Sequence, residues 1–456
     1  MQIEQASQTD GKSSGQGGSL GDERPRRGPF GLFYGWWMVL IAAGAQFLSG
    51  GFYNQGLSVY FLPISRDLGF SRAALSLAFT LKTLEGGLDG PLVGYLVDRL
   101  GPRFMMRAGG LLAGLGFIFL AFTHDYLSFM LVFLGLVVLG FSSGVSLPLG
   151  SVINNWFARQ RALAVTLGQV GAEVGGAILT PLVALVVLGV GWREAAMLSG
   201  VVLLVVFPCL SWFLKPTPES VGLTPDGTLA PAGPQGDGGG PHGGRYIAPE
   251  VDFTPREAVR TLAFWHLSLA VGIRQFSKQA LMVHLVPLLV WKGFDEPTAA
   301  LFVGLFALMQ VPLRIGAAWL ADNWSMTKVP ALSALAGAGA AGVLLLGEDA
   351  WLGTGLLFVF LFALGETGNS PAWAVVGNFF GRTSYATVRG SVGFFQSLIS
   401  LPAPVLAGWL YDTTQSYEVA LLPIIGFYMA AFVLYWMLRR PGRQARVAQA
   451  EYHPPA

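Results

Sequence analysis

Twelve long apolar runs divide the chain, separated by short polar turns, at about residues 34–62, 72–97, 104–122, 126–153, 161–189, 194–214, 261–291, 297–320, 329–346, 350–376, 388–411 and 418–438. A helix needs about 20 apolar residues to cross roughly 30 Å of hydrocarbon, and most of these runs reach that length. In lipid every backbone N–H and C=O must be paired within the protein, so runs this long and continuous are predicted to be helices. The stretch 215–250, which contains Pro216, Pro218 and a run of glycines, breaks the pattern and carries too little apolar surface to form a core. The predicted fold is therefore an all-α membrane protein of twelve transmembrane helices in two six-helix bundles. Its expected parts are a polar, disordered cytoplasmic tail (1–33), a first bundle (34–214), a cytoplasmic linker (215–257), a second bundle (258–440) and a cytoplasmic tail (441–456). Within the linker, Thr254-Pro255-Arg256-Glu257 has the cap, first-turn proline and third-position acid of a helix start.

Composition supports lipid as the solvent: 53% of residues are hydrophobic and 12% charged, about half the charge of an average soluble domain. Cys209 is the single cysteine, so no intrachain disulfide can form. Residues 1–30 lack an apolar core of their own and do not read as a cleaved signal. Orientation follows from charge. Twenty of the 28 Lys and Arg residues fall in segments on the amino-terminal side of the membrane, and only Arg66, Arg72, Arg193 and Lys292 fall on the other. The positive-inside rule then puts both termini and the linker in the cytoplasm, across the cell (inner) membrane. Glycines at small-xxx-small spacing, such as Gly168, Ala172 and Gly176, read as helix-packing faces.

The halves look like copies. Gly94-Tyr-Leu-Val-Asp98-Arg99 is echoed by Ala318-Trp-Leu-Ala-Asp322-Asn323, and Asn155-Trp-Phe-Ala-Arg159 by Asn378-Phe-Phe-Gly-Arg382, at nearly one offset. A parallel repeat of two bundles places a substrate site near the midplane between them.

The turn Gly94-x-x-x-Asp98-Arg99-x-Gly101-x-Arg103 resembles the signature loop between the second and third helices of major facilitator superfamily transporters. Pro102 stands where that family often has a basic residue. Trp156-Phe-x-Arg159-x-Arg161-x-Leu163-Ala164, with Gly168 and Gly171, resembles the monocarboxylate transporters. Phe33-Tyr-Gly-Trp-Trp37, with Tyr60-Phe-Leu-Pro63, is similar to their bacterial branch and to oxalate/formate exchangers. The resemblance spans about residues 30–440. It implies alternating-access transport of a small organic anion, a monocarboxylate, with a proton or by exchange.

An ionisable group in hydrocarbon is costly unless it meets a partner or a cavity, so the buried charges are where chemistry is expected. Arg314 lies eight residues, about 12 Å, before Asp322. Its planar fork suits a carboxylate, and the resemblance implies a carboxylate-binding arginine at this place on the eighth helix; a structural pair with a fixed acid is the other reading. The proton-coupled family pattern has an aspartate four residues earlier, where this chain has Gln310, and a lysine on the first helix, where it has Tyr53, Asn54 and Gln55. Tyr53, Asn54 and Gln310 are candidate substrate contacts, and Lys278 is a candidate second cation or a partner of Glu366 or Glu173. With Gln310 unable to titrate, Glu173, Glu366, Glu85 and His284 are the proton-coupling candidates. Gly94, Asp98, Arg99, Gly101, Arg103 and Asp322 form the expected gate, with Asp98 capping or pairing with the eleventh helix and the weaker echo latching the other half less strongly.

No phosphate-binding loop, metal-spaced Cys/His set or nucleotide fingerprint is present, so neither an enzyme nor a cofactor is expected. An exporter of larger apolar organic anions and a transport-inactive sensor acting through the linker are the alternatives.

Overall fold

The computed structural model describes residues 33–227 and 252–442, apart from the side chains of residues 72, 73, 76 and 83–86. Nearly all of the expected tail 1–33, the middle of the linker and nearly all of the tail 441–456 lie outside the described residues. Nine helices among the described residues are long and apolar enough to cross a membrane. They are numbered here as α3 (Pro102–Leu120), α4 (Tyr126–Trp156), α5 (Arg161–Val190), α6 (Trp192–Phe213), α8 (Glu296–Asn323), α9 (Lys328–Leu346), α10 (Leu352–Phe380), α11 (Tyr385–Thr414) and α12 (Glu418–Met437).

Three further spans complete the twelve of the predicted fold, and each is interrupted. In α1 (35–68), Gly35–Leu48 passes into a π-helical segment, Ser49–Asn54, before Leu57–Leu68. In α2 (72–100), Arg72–Leu88 and Gly90–Leu100 meet at Asp89, where Pro91 withholds an N–H from the ladder. In α7 (262–291), Leu262–Val283 and Leu285–Trp291 meet at His284. Pro287 accounts for that break, because its ring collides with the carbonyl four residues earlier. The Thr254 start also forms, with a reciprocal Thr254–Glu257 capping box, but it opens only the short helix Pro255–Val259. Thr261 then caps α7 separately.

Each half has its own core. Met38, Phe117, Phe141 and Phe207 belong to one cluster built from α1–α6, and Phe264, Phe302, Phe362 and Tyr428 to another built from α7–α12. The clusters that join the halves are small: Ala162, Ala318, Ala321, Val329 and Ala374 in one, Val93, Val97, Met105 and Ala386 in the other. Small side chains give smooth, closely spaced backbones, which suits a seam that must slide. Large apolar residues such as Leu188, Leu308 and Leu346 face outward, as a lipid boundary requires.

The linker is stitched to both halves at equivalent turns. Asp226 accepts backbone N–H bonds from Ala158 (3.2 Å) and Arg159 (3.1 Å) in the first half. Asp252 accepts them from Arg382 (2.7 Å) and Thr383 (3.2 Å) in the second.

Within the first half, α1 and α5 run almost backbone to backbone. A side chain at Gly175 would meet the Phe47 carbonyl oxygen at 1.9 Å, whereas nothing lies within 4 Å of a side chain at Gly189 on the same helix. Gly175→Leu should therefore lower the thermal unfolding midpoint of the purified protein, by an overpacking cost of about 1–3 kcal/mol. Gly189→Leu should leave the midpoint unchanged, and equal midpoints for both variants would contradict the close crossing.

Candidate functional site

The halves meet most tightly on the face that carries the ends of α2 and α8. There, Gly101 takes a left-handed backbone (φ +88°), which turns α2 directly into α3. This turn aims Asp98 across the seam. Its carboxylate accepts backbone N–H bonds from Ala386 (3.1 Å) and Thr387 (2.8 Å) and a hydroxyl bond from Thr387 (2.6 Å). Those amides belong to the first turn of α11, where N–H groups lack helical partners and the helix dipole favours negative charge. The repeat reproduces the arrangement: Asp322 accepts from the N–H groups of Ala162 (2.9 Å) and Leu163 (2.8 Å) in the first turn of α5. Each half thus caps a helix of the other, with three bonds at Asp98 and two at Asp322.

Gly94 lets α2 approach α11 this closely, since a side chain there would meet the Ala386 carbonyl oxygen at 2.3 Å. Arg99 and Arg103 stay within the first half. Arg99 donates to the Tyr95 hydroxyl (3.0 Å), and Arg103 to the carbonyls of Ser211 (3.1 Å) and Trp212 (2.8 Å) at the end of α6. Two more bonds close the same face: Asn154 donates to the Gly381 carbonyl (3.4 Å) and Arg382 to the Asn155 carbonyl (3.2 Å).

Above this floor lies a cavity of about 350 Å³, lined from the first half by α1, α2 and α4 and from the second by α10 and α11. Tyr53 and Asn54 reach it. The Tyr53 ring stacks on Phe141 at 4.6 Å and carries the Lys82 ammonium 4.0 Å from its centre. Lys82 also donates to the Tyr53 carbonyl (2.9 Å), so this half-buried lysine has a fixed partner. Asn54 makes a long contact to Ser49 (3.5 Å). Glu85 lies on α2 with its side chain outside the described residues.

Arg314 is not among the residues lining that cavity. It reaches across the α5–α8 seam to Glu173 at 3.0 Å, and the arginine side chain is 16% exposed against 44% for the acid. Its Nε atom and the Oε1 atom of Gln310, one turn earlier, are buried without a hydrogen-bond partner. The Gln310 amide donates only weakly, to the Ala363 carbonyl at 3.5 Å. On the same face of α5, the Ser370 hydroxyl donates across the seam to Gln169 Oε1 (2.9 Å), one turn before Glu173.

A further group of charges forms a network inside the second half. Glu366 lies between Arg274, 3.4 Å away, and Lys278, 3.0 Å away, with Arg274 and Glu366 fully buried. Arg274 donates also to Asn369 (2.9 Å). Lys278 is therefore committed to Glu366 and not to Glu173. His284 sits at the α7 break, where Nε2 faces the Pro404 carbonyl (3.1 Å) and Nδ1 the Tyr417 hydroxyl (3.2 Å). A carbonyl only accepts, so Nε2 carries the hydrogen and the ring ties α7 to α11 and α12.

Arg389 is one of the twenty Lys and Arg residues that the charge count assigns to the amino-terminal side of the membrane. It lies instead in the second turn of α11 and lines the cavity, with its guanidinium 5.2 Å from the Trp373 ring centre. Counting seven residues, about 10 Å, beyond Arg382 was the signal available for it.

The Major Facilitator Superfamily model matches residues 30–404. Human monocarboxylate transporter 11 is 28% identical over 403 residues, which cover 85% of this chain and 80% of that protein. Human monocarboxylate transporter 12 is 24% identical over 413 residues, 87% of this chain and 78% of that one. Among solved structures, the E. coli fucose:proton symporter FucP superposes with a TM-score of 0.65 at 15% identity, covering 88% of this chain and 98% of that one. The human organic anion transporter MFSD10 superposes with a TM-score of 0.58 at 16% identity, covering 88% and 95%.

The capping geometry makes a direct prediction. Asp98→Asn leaves one acceptor oxygen where two are used and removes the charge, which should cost about 1.5–3 kcal/mol of the closed seam. In a Cys209→Ser background with cysteine at Ser151, a buried position on that face, the thiol should label at least about tenfold faster when Asp98→Asn is added. An unchanged labelling rate would show that the cap does not hold the seam.

Proposed function

The chain belongs to the Major Facilitator Superfamily, and we propose that, as a multi-pass transporter of that family, it carries small monocarboxylates across the cytoplasmic membrane by alternating access. It is a transporter and not an enzyme. The observation that carries the finer reading is the Arg314–Glu173 pair: one fixed cation and one fixed acid, 3.0 Å apart, contributed by opposite halves about 12 Å from the capped face.

A substrate carboxylate and Glu173 compete for the same guanidinium fork. A proton on Glu173 removes its charge and releases Arg314, which then offers two parallel N–H bonds to the substrate. The unpartnered Arg314 Nε and Gln310 Oε1 support this role, because buried polar atoms without partners mark an incomplete site. The charge balance supports it too. Arg274, Lys278 and Arg314 face Glu366 and Glu173; once Glu173 is neutral, a single carboxylate is too little counter-charge for the three cations, and an arriving anion restores the balance. Glu173 replaces, from another helix, the acid that Gln310 cannot supply. Glu366, held between two cations, is structural in this account, and Lys278 adds positive potential beside Arg314.

Two bundles, 34–214 and 258–440, rock about this pair, joined by a cytoplasmic linker (215–257). The Lys/Arg asymmetry makes the capped face cytoplasmic, with both termini on that side, so the conformation described is outward-facing. The names of the relatives, monocarboxylate transporters 11 and 12, agree with the monocarboxylate class.

Reconstituted into liposomes, Arg314→Lys should lower uptake of labelled propionate at least tenfold at equal levels of folded protein, because the charge remains and the fork is lost. Undiminished uptake would remove Arg314 from the site. Glu173→Gln mimics the protonated acid, so its propionate exchange should persist while acceleration by an inward proton gradient disappears. A gradient response retained by that variant would rule out Glu173 as the proton carrier.

A further inference from the structure

The cavity between α2, α4 and α11 carries a pair of opposite charges that the Arg314 reading does not use. Asp89, at the break in α2, and Arg389, in the second turn of α11, both line it. They are held apart by one helix. The Ser142 hydroxyl donates to Asp89 Oδ2. Arg389 donates to the carbonyl of Ser146 (2.7 Å) and contacts the Ser146 hydroxyl (3.3 Å). Ser142 and Ser146 lie four residues apart in α4, so their partners are spaced by about one helical turn, roughly 5 Å. Carboxylate and guanidinium thus face the same space without forming a pair.

Neither group is satisfied by the protein. Asp89 Oδ1 is buried with no hydrogen-bond partner. A guanidinium has five N–H donors, and Arg389 commits two of them, both to Ser146. The floor beneath is closed by contact between Gly90 and Gly390, whose backbones meet too closely for any side chain. Aromatic rings complete the lining, with Tyr53 stacked on Phe141 from the first half and Trp373 from the second.

We propose that this is a binding site for a zwitterionic 2-amino acid, with the ammonium on Asp89, the carboxylate on Arg389 and the side chain against Tyr53, Phe141 and Trp373. The charges decide the class. A simple carboxylate would satisfy Arg389 but bring a negative group beside the unpartnered Asp89 oxygen. A simple amine would do the reverse beside Arg389. A molecule with both charges on substituents of one carbon opposes Asp89 and Arg389 each with its complement. A hydroxyl in place of the ammonium supplies the hydrogen bond without the charge. The proposal goes beyond the assignment of Arg314 and does not depend on it.

The test is calorimetric titration of the purified, unmodified protein at neutral pH with three compounds of one shape: L-leucine, 2-hydroxy-4-methylpentanoate and 4-methylpentanoate. Leucine should bind at least tenfold more tightly than either of the others, and Asp89→Asn should abolish that preference. Equal binding of the three, or no binding of leucine, overturns the proposal without any variant having to fold. A preference that survives in Asp89→Asn overturns the role of Asp89. Because the readout is a ranking of ligands, its failure leaves the propionate uptake result at Arg314 standing, and the converse holds as well.

Discussion

A charge in hydrocarbon must find a partner, and here three of the partnerships cross the seam between the halves. That constraint organises the molecule. Asp98 and Asp322 find theirs in the unpaired first-turn amides of α11 and α5 of the opposite half. Arg314 finds Glu173. Such pairs cost little while the seam is shut and become expensive as it opens, so opening must coincide with water entering, a proton arriving or another anion taking the vacated place. In the proposed cycle, the cost of burying charge couples conformation to ligand.

The same seam is otherwise built to part easily. The two large apolar clusters each belong to one half, while the clusters that bridge them are mostly alanine with a few valines and a methionine. Little apolar area has to be re-exposed when the halves separate. The specific resistance comes from the capping carboxylates and from the arginine bonds of Arg382 and Arg389, which are directional and therefore release over a short displacement. The Glu366 network, in contrast, lies wholly within one half. It need not break during rocking, which is why it reads as scaffold despite holding two cations, one of them fully buried.

Much of this was legible in the sequence, because membrane thickness imposes a length on every span. The twelve apolar runs match the twelve spans to within a few residues at nearly every end. The repeat between Asp98 and Asp322 was visible as well, since two copies of one turn must carry the same carboxylate at one offset. Pairings across the seam were not. Nothing near Arg314 in the chain says that its partner is Glu173, 141 residues away, because tertiary contact between two bundles leaves no local pattern. Arg389 was hidden for a different reason. It stands close to a turn, where a charge ordinarily reports topology, yet α11 begins early enough to carry it into the cavity. The π-helical stretch in α1 likewise depends on packing against α5 and has no hydropathy signal.

The central claim is that a substrate carboxylate displaces Glu173 from Arg314 only as Glu173 takes up a proton. Titration of the purified protein with propionate in buffers of different ionisation enthalpy measures proton uptake on binding directly. The account predicts about one proton taken up per propionate bound, falling to none in Glu173→Gln. Propionate binding to the unmodified protein without proton uptake would contradict it.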